Sequence, residues 1–377
     1  MRKYVLALLL ASSSVFADDV VGFTAYENGD YTTAYQNLID SAKGGNDEAM
    51  YLIGRMYQYG QGVNVDNKEA MKWYVDAANK NNALAQLSVG FMYDSALGVP
   101  RDYKTAFDWY MKSANLGNAI AQRNVGLMYA SGEGVEVSQD KAFEWFKKSS
   151  ELGYAKAQVN LAYQYLTGTG TKKDPEQAAT WYQKAADQGD ARAQYSLGLM
   201  YLGDDGIPAD QKAATYWFSR AANQGHRYAQ AYLAYQYQNG YGTEKDVEKA
   251  AYWYKASADQ GYPYAEAQLG QLYLMGQGVE KDYQQAAFWF GKSSEKGNAM
   301  AQERLGYLYM AGLGMEKDKV KAYAWLKMAT DGKYEQATEE LKNLEKDLTP
   351  EQKTQGDAMY KELSEKQKAL PPEEDIE

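Results

Sequence analysis

Residues able to do chemistry are few in this 377-residue chain, and their positions decide what they are for. There is no cysteine and one histidine, His226. A zinc site of several His or Cys side chains therefore cannot form. His226 as a general base would need partners that its sequence surroundings do not supply. It reads as a plain surface residue after Gly225, where equivalent segments carry Asn118, Tyr154, Asp190, Tyr262 or Asn298. Carboxylates recur at Asp66, Asp102, Asp174, Asp210, Asp246, Asp282 and Asp318, with Ser138 standing in once. Paired carboxylates can run acid/base hydrolysis. These, however, are separated by whole 36-residue periods and stand where helices must start, which is the work of an N-cap. Gly-x-Gly segments such as Gly132-Glu133-Gly134 lack both the strand-turn-helix setting and the Gly-Lys-Ser/Thr of a phosphate loop. No catalytic residue, metal site or cofactor is expected, and the chain reads as a binding protein, not an enzyme.

The elements that hold these residues repeat. All 8 tryptophans fall at one spacing, from Trp73 through Trp109, Trp145, Trp181, Trp217, Trp253 and Trp289 to Trp325. An Ala (Ala49 to Ala301), a Tyr (Tyr57 to Tyr309), a Gly (Gly62 to Gly314) and a second Ala (Ala70 to Ala322) keep the same 36-residue period without insertion. Such a period marks a repeat array. Within one unit, Ala49, Ile53, Met56 and Tyr57 make the apolar stripe of a first helix. Beside it lies a small residue, Gly54 or its equivalents, replaced by Ala162 and Ala234 in two units. A Gly-x-Gly turn and a capping Asp follow, and then Ala70, Trp73, Tyr74 and Ala77 on one face of a second helix. Each unit is thus a helical hairpin. Since one hairpin cannot bury its aromatic residues alone, neighbours must stack. The predicted fold class is all-α: a solenoid of eight hairpins, with the Trp and Tyr in the core.

The expected organisation is a signal peptide at residues 1–17, a capping hairpin at 18–45, repeats at 46–333, capping helices at 334–369 and an acidic tail at 370–377. Met1-Arg2-Lys3, the apolar run Tyr4 to Ala11 and small residues up to Ala17 have the layout of an export signal cut after Ala17. The run is too short to span a bilayer, and no Cys follows to anchor a lipid. A periplasmic or secreted protein is expected. Loss of Arg2 and Lys3 with the signal takes the net charge from −10 to −12. Such an acidic chain repels phosphate backbones, so no nucleic-acid partner is expected.

Segments such as Ala85 to Gly117, AQLSVGFMYDSALGVPRDYKTAFDWYMKSANLG, resemble the Sel1-like repeat, a relative of the tetratricopeptide repeat. The resemblance covers eight units. It implies a right-handed superhelix whose first helices line a concave surface, and a role in assembling or recruiting other proteins. Signal, eight units and C-terminal helix together are similar in layout to secreted family members that promote uptake by host cells. A cysteine-rich subgroup is linked to β-lactam hydrolysis, and the absence of Cys here removes that support.

The first-helix face opposite the stripe is where the units differ. Three residues before the small residue stand Tyr51, Leu87, Arg123, Val159, Tyr195, Ala231, Ala267 and Glu303; one after it stand Arg55, Phe91, Leu127, Tyr163, Leu199, Tyr235, Gln271 and Tyr307. From these the candidate contacts for a peptide or protein partner are Tyr51, Phe91, Leu127, Val159, Tyr163, Tyr195, Leu199, Tyr235 and Tyr307. Two readings stay open: a binding groove, or packing against the next unit's first helix. Three functions compete: an envelope scaffold, a host-directed effector using the same face, and an enzyme on cell-wall or β-lactam substrates. Only the last requires an acid/base pair, and the sequence offers none outside the capping Asp.

Overall fold

A computed structural model describes residues 14–203 and 205–371. The expected signal therefore lies largely outside the described residues, as does the tail from residue 372. α1 (Ser14–Glu27) runs through the expected cut site and pairs with α2 (Tyr31–Lys43) as a leading hairpin. Eight hairpins follow. The first four are α3 (Asp47–Tyr59) with α4 (Asn67–Asn79), α5 (Ala83–Asp94) with α6 (Tyr103–Asn115), α7 (Ala119–Ser131) with α8 (Gln139–Glu151), and α9 (Ala155–Thr167) with α10 (Pro175–Asp187). These belong to one compact unit, ending at Gln188. A second unit begins at Gly189. It holds α11 (Ala191–Met200) with α12 (Gln211–Asn223), α13 (Arg227–Asn239) with α14 (Val247–Asp259), α15 (Pro263–Met275) with α16 (Tyr283–Glu295), and α17 (Ala299–Ala311) with α18 (Lys319–Asp331). α19 (Glu335–Glu345) and α20 (Pro350–Lys368) close it. All regular structure among the described residues is helical, and the fold is an α-solenoid.

Local chemistry sets the hairpin boundaries. Asp66 Oδ1 accepts from the backbone N–H groups of Lys68 and Glu69, both at 3.0 Å. The other six aspartates, and Ser138, cap their second helices in the same way. Six of the eight first helices stop on a left-handed glycine such as Gly60, φ +67°. Two residues on, Gly62 meets the preceding hairpin: a Cβ there would stand 2.6 Å from the carbonyl oxygen of Tyr31. Only glycine permits that approach.

Ala49, Ile53 and Met56 of α3 and Ala70, Tyr74 and Ala77 of α4 are fully buried. Burying a side chain the size of Ile or Met contributes roughly 1.5–3 kcal/mol. The Tyr74 ring lies on Gly54, where a Cβ would come within 2.7 Å of it; Gly90 under Tyr110 (2.6 Å) and Gly198 under Phe218 (2.7 Å) repeat the arrangement. The tryptophans correct an expectation. Trp217, Trp289 and Trp325 are buried, but the other five are only half-buried. Some are roofed by a lysine three residues on: Lys112 over Trp109 at 3.6 Å, Lys148 over Trp145 at 4.1 Å and Lys184 over Trp181 at 3.8 Å. In the second unit the preceding aromatic stands edge-on, with Tyr216, Tyr252 and Phe288 about 5 Å from Trp217, Trp253 and Trp289, and Lys292 also lies over Trp289 at 5.1 Å.

One buried position, held by Met50 in the first repeat, is polar in the other seven. Gln86, Gln122, Gln158, Gln230 and Gln302 each donate from Nε2 to a backbone carbonyl eight residues earlier, at 3.1–3.3 Å. The Oε1 of Gln158, Gln194 and Gln230 accepts from Gln188, Gln224 and Gln260, each at 2.8 Å. Where the glutamine becomes Glu266, its partner becomes Lys296, at 2.6 Å. At Gln86 and Gln122 the partner position holds Leu116 and Leu152, and the buried Oε1 accepts no hydrogen bond. Gly332 stands there for Gln302, and Gln367 of α20 comes in to accept from Gln302 Nε2 at 3.0 Å.

Candidate interaction face

The first helices carry two side-chain rows that differ in what they touch. In the row three residues before the small residue, two side chains are seen to meet position n+37 on the next first helix of their unit. Arg123 Nε donates to Asn160 Oδ1 at 2.8 Å, and the rings of Tyr195 and Tyr232 meet edge-on at 5.8 Å. Val159 is 9% exposed, and Ala231, Ala267 and Glu303 at most 1%. Tyr51 and Tyr195 are half-buried, Tyr51 tilted against Tyr74 at 5.9 Å and Tyr195 stacked on His226 at 4.7 Å. Burial pushes both hydroxyls above their ordinary range. This row is spent on packing.

The row one residue after the small residue is open. Phe91, Tyr163, Tyr235 and Tyr307 are 42%, 52%, 40% and 36% exposed. They occupy alternate repeats, 72 residues apart, two in each compact unit. Between them Leu127 and Leu199 are half-buried against core side chains. Of the nine candidates, the structure thus leaves four aromatic rings facing solvent and draws the other five wholly or partly into packing. Arg55 belongs to the same row and was not among the candidates. Its guanidinium lies 5.7–6.0 Å from the ring centroids of Tyr26, Tyr51 and Tyr59, and Tyr59 is 57% exposed. The Arg-x-x-x-Tyr spacing on α3 was the available signal.

His226 has a definite place. It caps α13, Nδ1 accepting from the Ala229 N–H at 3.3 Å. Burial, with Arg192 and Arg227 adding repulsion, lowers its pKa to about 4, so the ring is neutral. Asn46, Asn82, Asn118, Asp190 and Asn298 cap the other first helices, and Tyr154 and Tyr262 occupy that position without a side-chain hydrogen bond. Among the described residues no three His, Cys, Asp or Glu side chains are grouped to hold a metal ion, and no helix is long and apolar enough to cross a membrane.

The Sel1 repeat model matches eight consecutive segments, from residues 47–82 to residues 299–334. The chain belongs to the Sel1 repeat family. Members of this family are generally scaffolds for protein–protein interaction, typically without catalytic activity. Two solved structures are similar over nearly the whole chain. One is c5321, a protective antigen of uropathogenic Escherichia coli with an SLR fold: 31% identical, covering 96% of this chain and 88% of that one, TM-score 0.60. The other is a Sel1 repeat protein from Oxalobacter formigenes: 30% identical, covering 90% and 98%, TM-score 0.61. No curated protein is significantly similar in sequence.

Proposed function

We propose that this Sel1 repeat protein is an exported scaffold that binds peptide or protein partners on its first-helix faces, each compact unit contributing two exposed rings. The observation that carries the reading is the alternation of Phe91, Tyr163, Tyr235 and Tyr307, all solvent-facing on helices whose opposite sides are locked into the core. Rigid aromatic anchors supply contact area at low entropic cost and are the residues on which interface energy concentrates. Export rests on the basic-apolar-small layout of residues 1–17. The likeness to a protective antigen supports the same reading and favours a host-directed role as the second one.

The test is a pull-down with the chain from Asp18 onward, from envelope extract and from host-cell lysate, using wild type, Phe91→Asp/Tyr163→Asp and Tyr235→Asp/Tyr307→Asp. A partner lost with one pair, at melting temperatures unchanged within a degree or two, supports the face, assigns it to a unit and names the compartment by the extract. Val159→Asp, one turn away but buried, is the control and should cost about 3 kcal/mol or more. Equal destabilisation by Tyr163→Asp would mean that the exposed row is core as well.

A further inference from the structure

Two glutamates meet at the last repeat. Glu303 of α17 is 1% exposed, and 37 residues on, at the spacing that pairs Arg123 with Asn160 and Tyr195 with Tyr232, stands Glu340 of α19. The Oε2 atoms of both are buried and have no hydrogen-bond partner. One cation attends them: Arg304 Nη1 lies 3.2 Å from Glu303 Oε1. Charges on the neighbouring elements are committed elsewhere. On α18, Lys327 pairs with Asp357, Lys321 with Asp318, and Lys319 donates to the Asp347 carbonyl. On α20, Lys353 goes to Glu345 and Lys366 to Glu362. Glu266 of α15 has its own lysine, Lys296. Lys292 of α16 lies over Phe288 and Trp289. Two carboxyls with buried Oε2 atoms and one guanidinium cannot all be charged without leaving one negative charge uncompensated, and burial of such a charge is costly. The neutral arrangement holds one proton between the carboxyls.

We infer that this shared proton latches α19 onto α17, so that the C-terminal cap of the second unit is closed in acid and loosens as pH rises. Burial, with Glu340 adding to it, raises Glu303 from the ordinary 4.5 to about 7, and burial raises Glu340 too. The sign follows: with the folded pKa above the unfolded one, the stabilisation is complete below about pH 4.5 and is lost as pH climbs through about 7. Opening would bare the face of α18 that Ala337 and Leu344 now cover, including Leu326 and Ala329.

Amide exchange of residues 335–345 in the full chain, corrected for intrinsic rates, tests this from pH 5.5 to 8.5, with α14 as internal reference. Release of one proton changes the opening constant by up to about tenfold per pH unit. The expected result is a rise of at least about tenfold across the range for α19, none for α14, and a flat profile in Glu303→Gln. Glu340→Gln should flatten it equally and covers the case that Glu303→Gln folds poorly. A pH-independent α19 in wild type, or an unchanged slope in both variants, overturns the latch.

Discussion

Repeats two and three differ from repeats four to seven in how they finish one buried amide. Gln86 and Gln122 leave their inner oxygens unpartnered beneath positions held by Leu116 and Leu152, whereas Gln158, Gln194 and Gln230 accept from Gln188, Gln224 and Gln260, and Glu266 from Lys296. The rest of the hairpin frame is shared: the stripe, the capping Asp or Ser138, the ring over the small residue. The apolar core is thus compulsory in every repeat, while polar closure can be left out at a cost that a hairpin with a full core tolerates.

Removing a donor where the acceptor is charged should show the largest effect. Lys296→Met leaves Glu266, fully buried, without its cation; after discounting for the partly exposed lysine, roughly 2–4 kcal/mol should be lost in chemical unfolding. Glu266→Gln/Lys296→Gln recreates the Gln–Gln closure of the preceding repeats and should recover most of it. Failure to recover would mean that the two closures are not equivalent. Next in size, Leu152→Gln should raise stability by about 1 kcal/mol, because it offers Gln122 Oε1 the missing donor and sacrifices a side chain already 57% exposed. No change in the urea midpoint would show that the bonds in the later repeats contribute nothing either. The smallest effect concerns His226, which does with an imidazole what Asn118 and Asn298 do with an amide. Its pKa is depressed from 6.5 to about 4, so its contribution is present above about 6.5 and lost as pH falls through that window. His226→Asn should keep the cap and remove the imidazole's share of the acid-side slope from the melting temperature.

The period, the hairpins, the capping aspartates and the buried stripe were legible because each is fixed by local rules: 3.6-residue periodicity, the need of a helix start for an acceptor, and the positive φ of a helix stop. The candidate face was half legible. Rows three residues before and one after Gly54 both point away from the hairpin core, and single-helix geometry cannot tell which of them the next hairpin covers. That depends on the offset between successive first helices, which only the pairs Arg123–Asn160 and Tyr195–Tyr232 reveal. The 72-residue alternation of Phe91, Tyr163, Tyr235 and Tyr307 is legible in the sequence and separates the open row from the packed one. His226 reads as surface from sequence because an imidazole is an uncommon cap, although its equivalents Asn118, Asp190 and Asn298 are common ones. Glu303 and Glu340 stood in segments of different pattern, so nothing local linked them.

Gly62 and Gly98 press their backbones against the backbone of the preceding hairpin, at Tyr31 and Asn67, with no room for a methyl between. In mechanical terms this edge of each unit behaves as an inextensible spine. Peptide groups in contact neither rotate nor compress, so bending must be taken up on the other edge, where glutamine and lysine side chains span neighbouring hairpins through rotatable bonds. A unit loaded from one side should therefore fan open along its side-chain edge and keep its glycine edge at constant length.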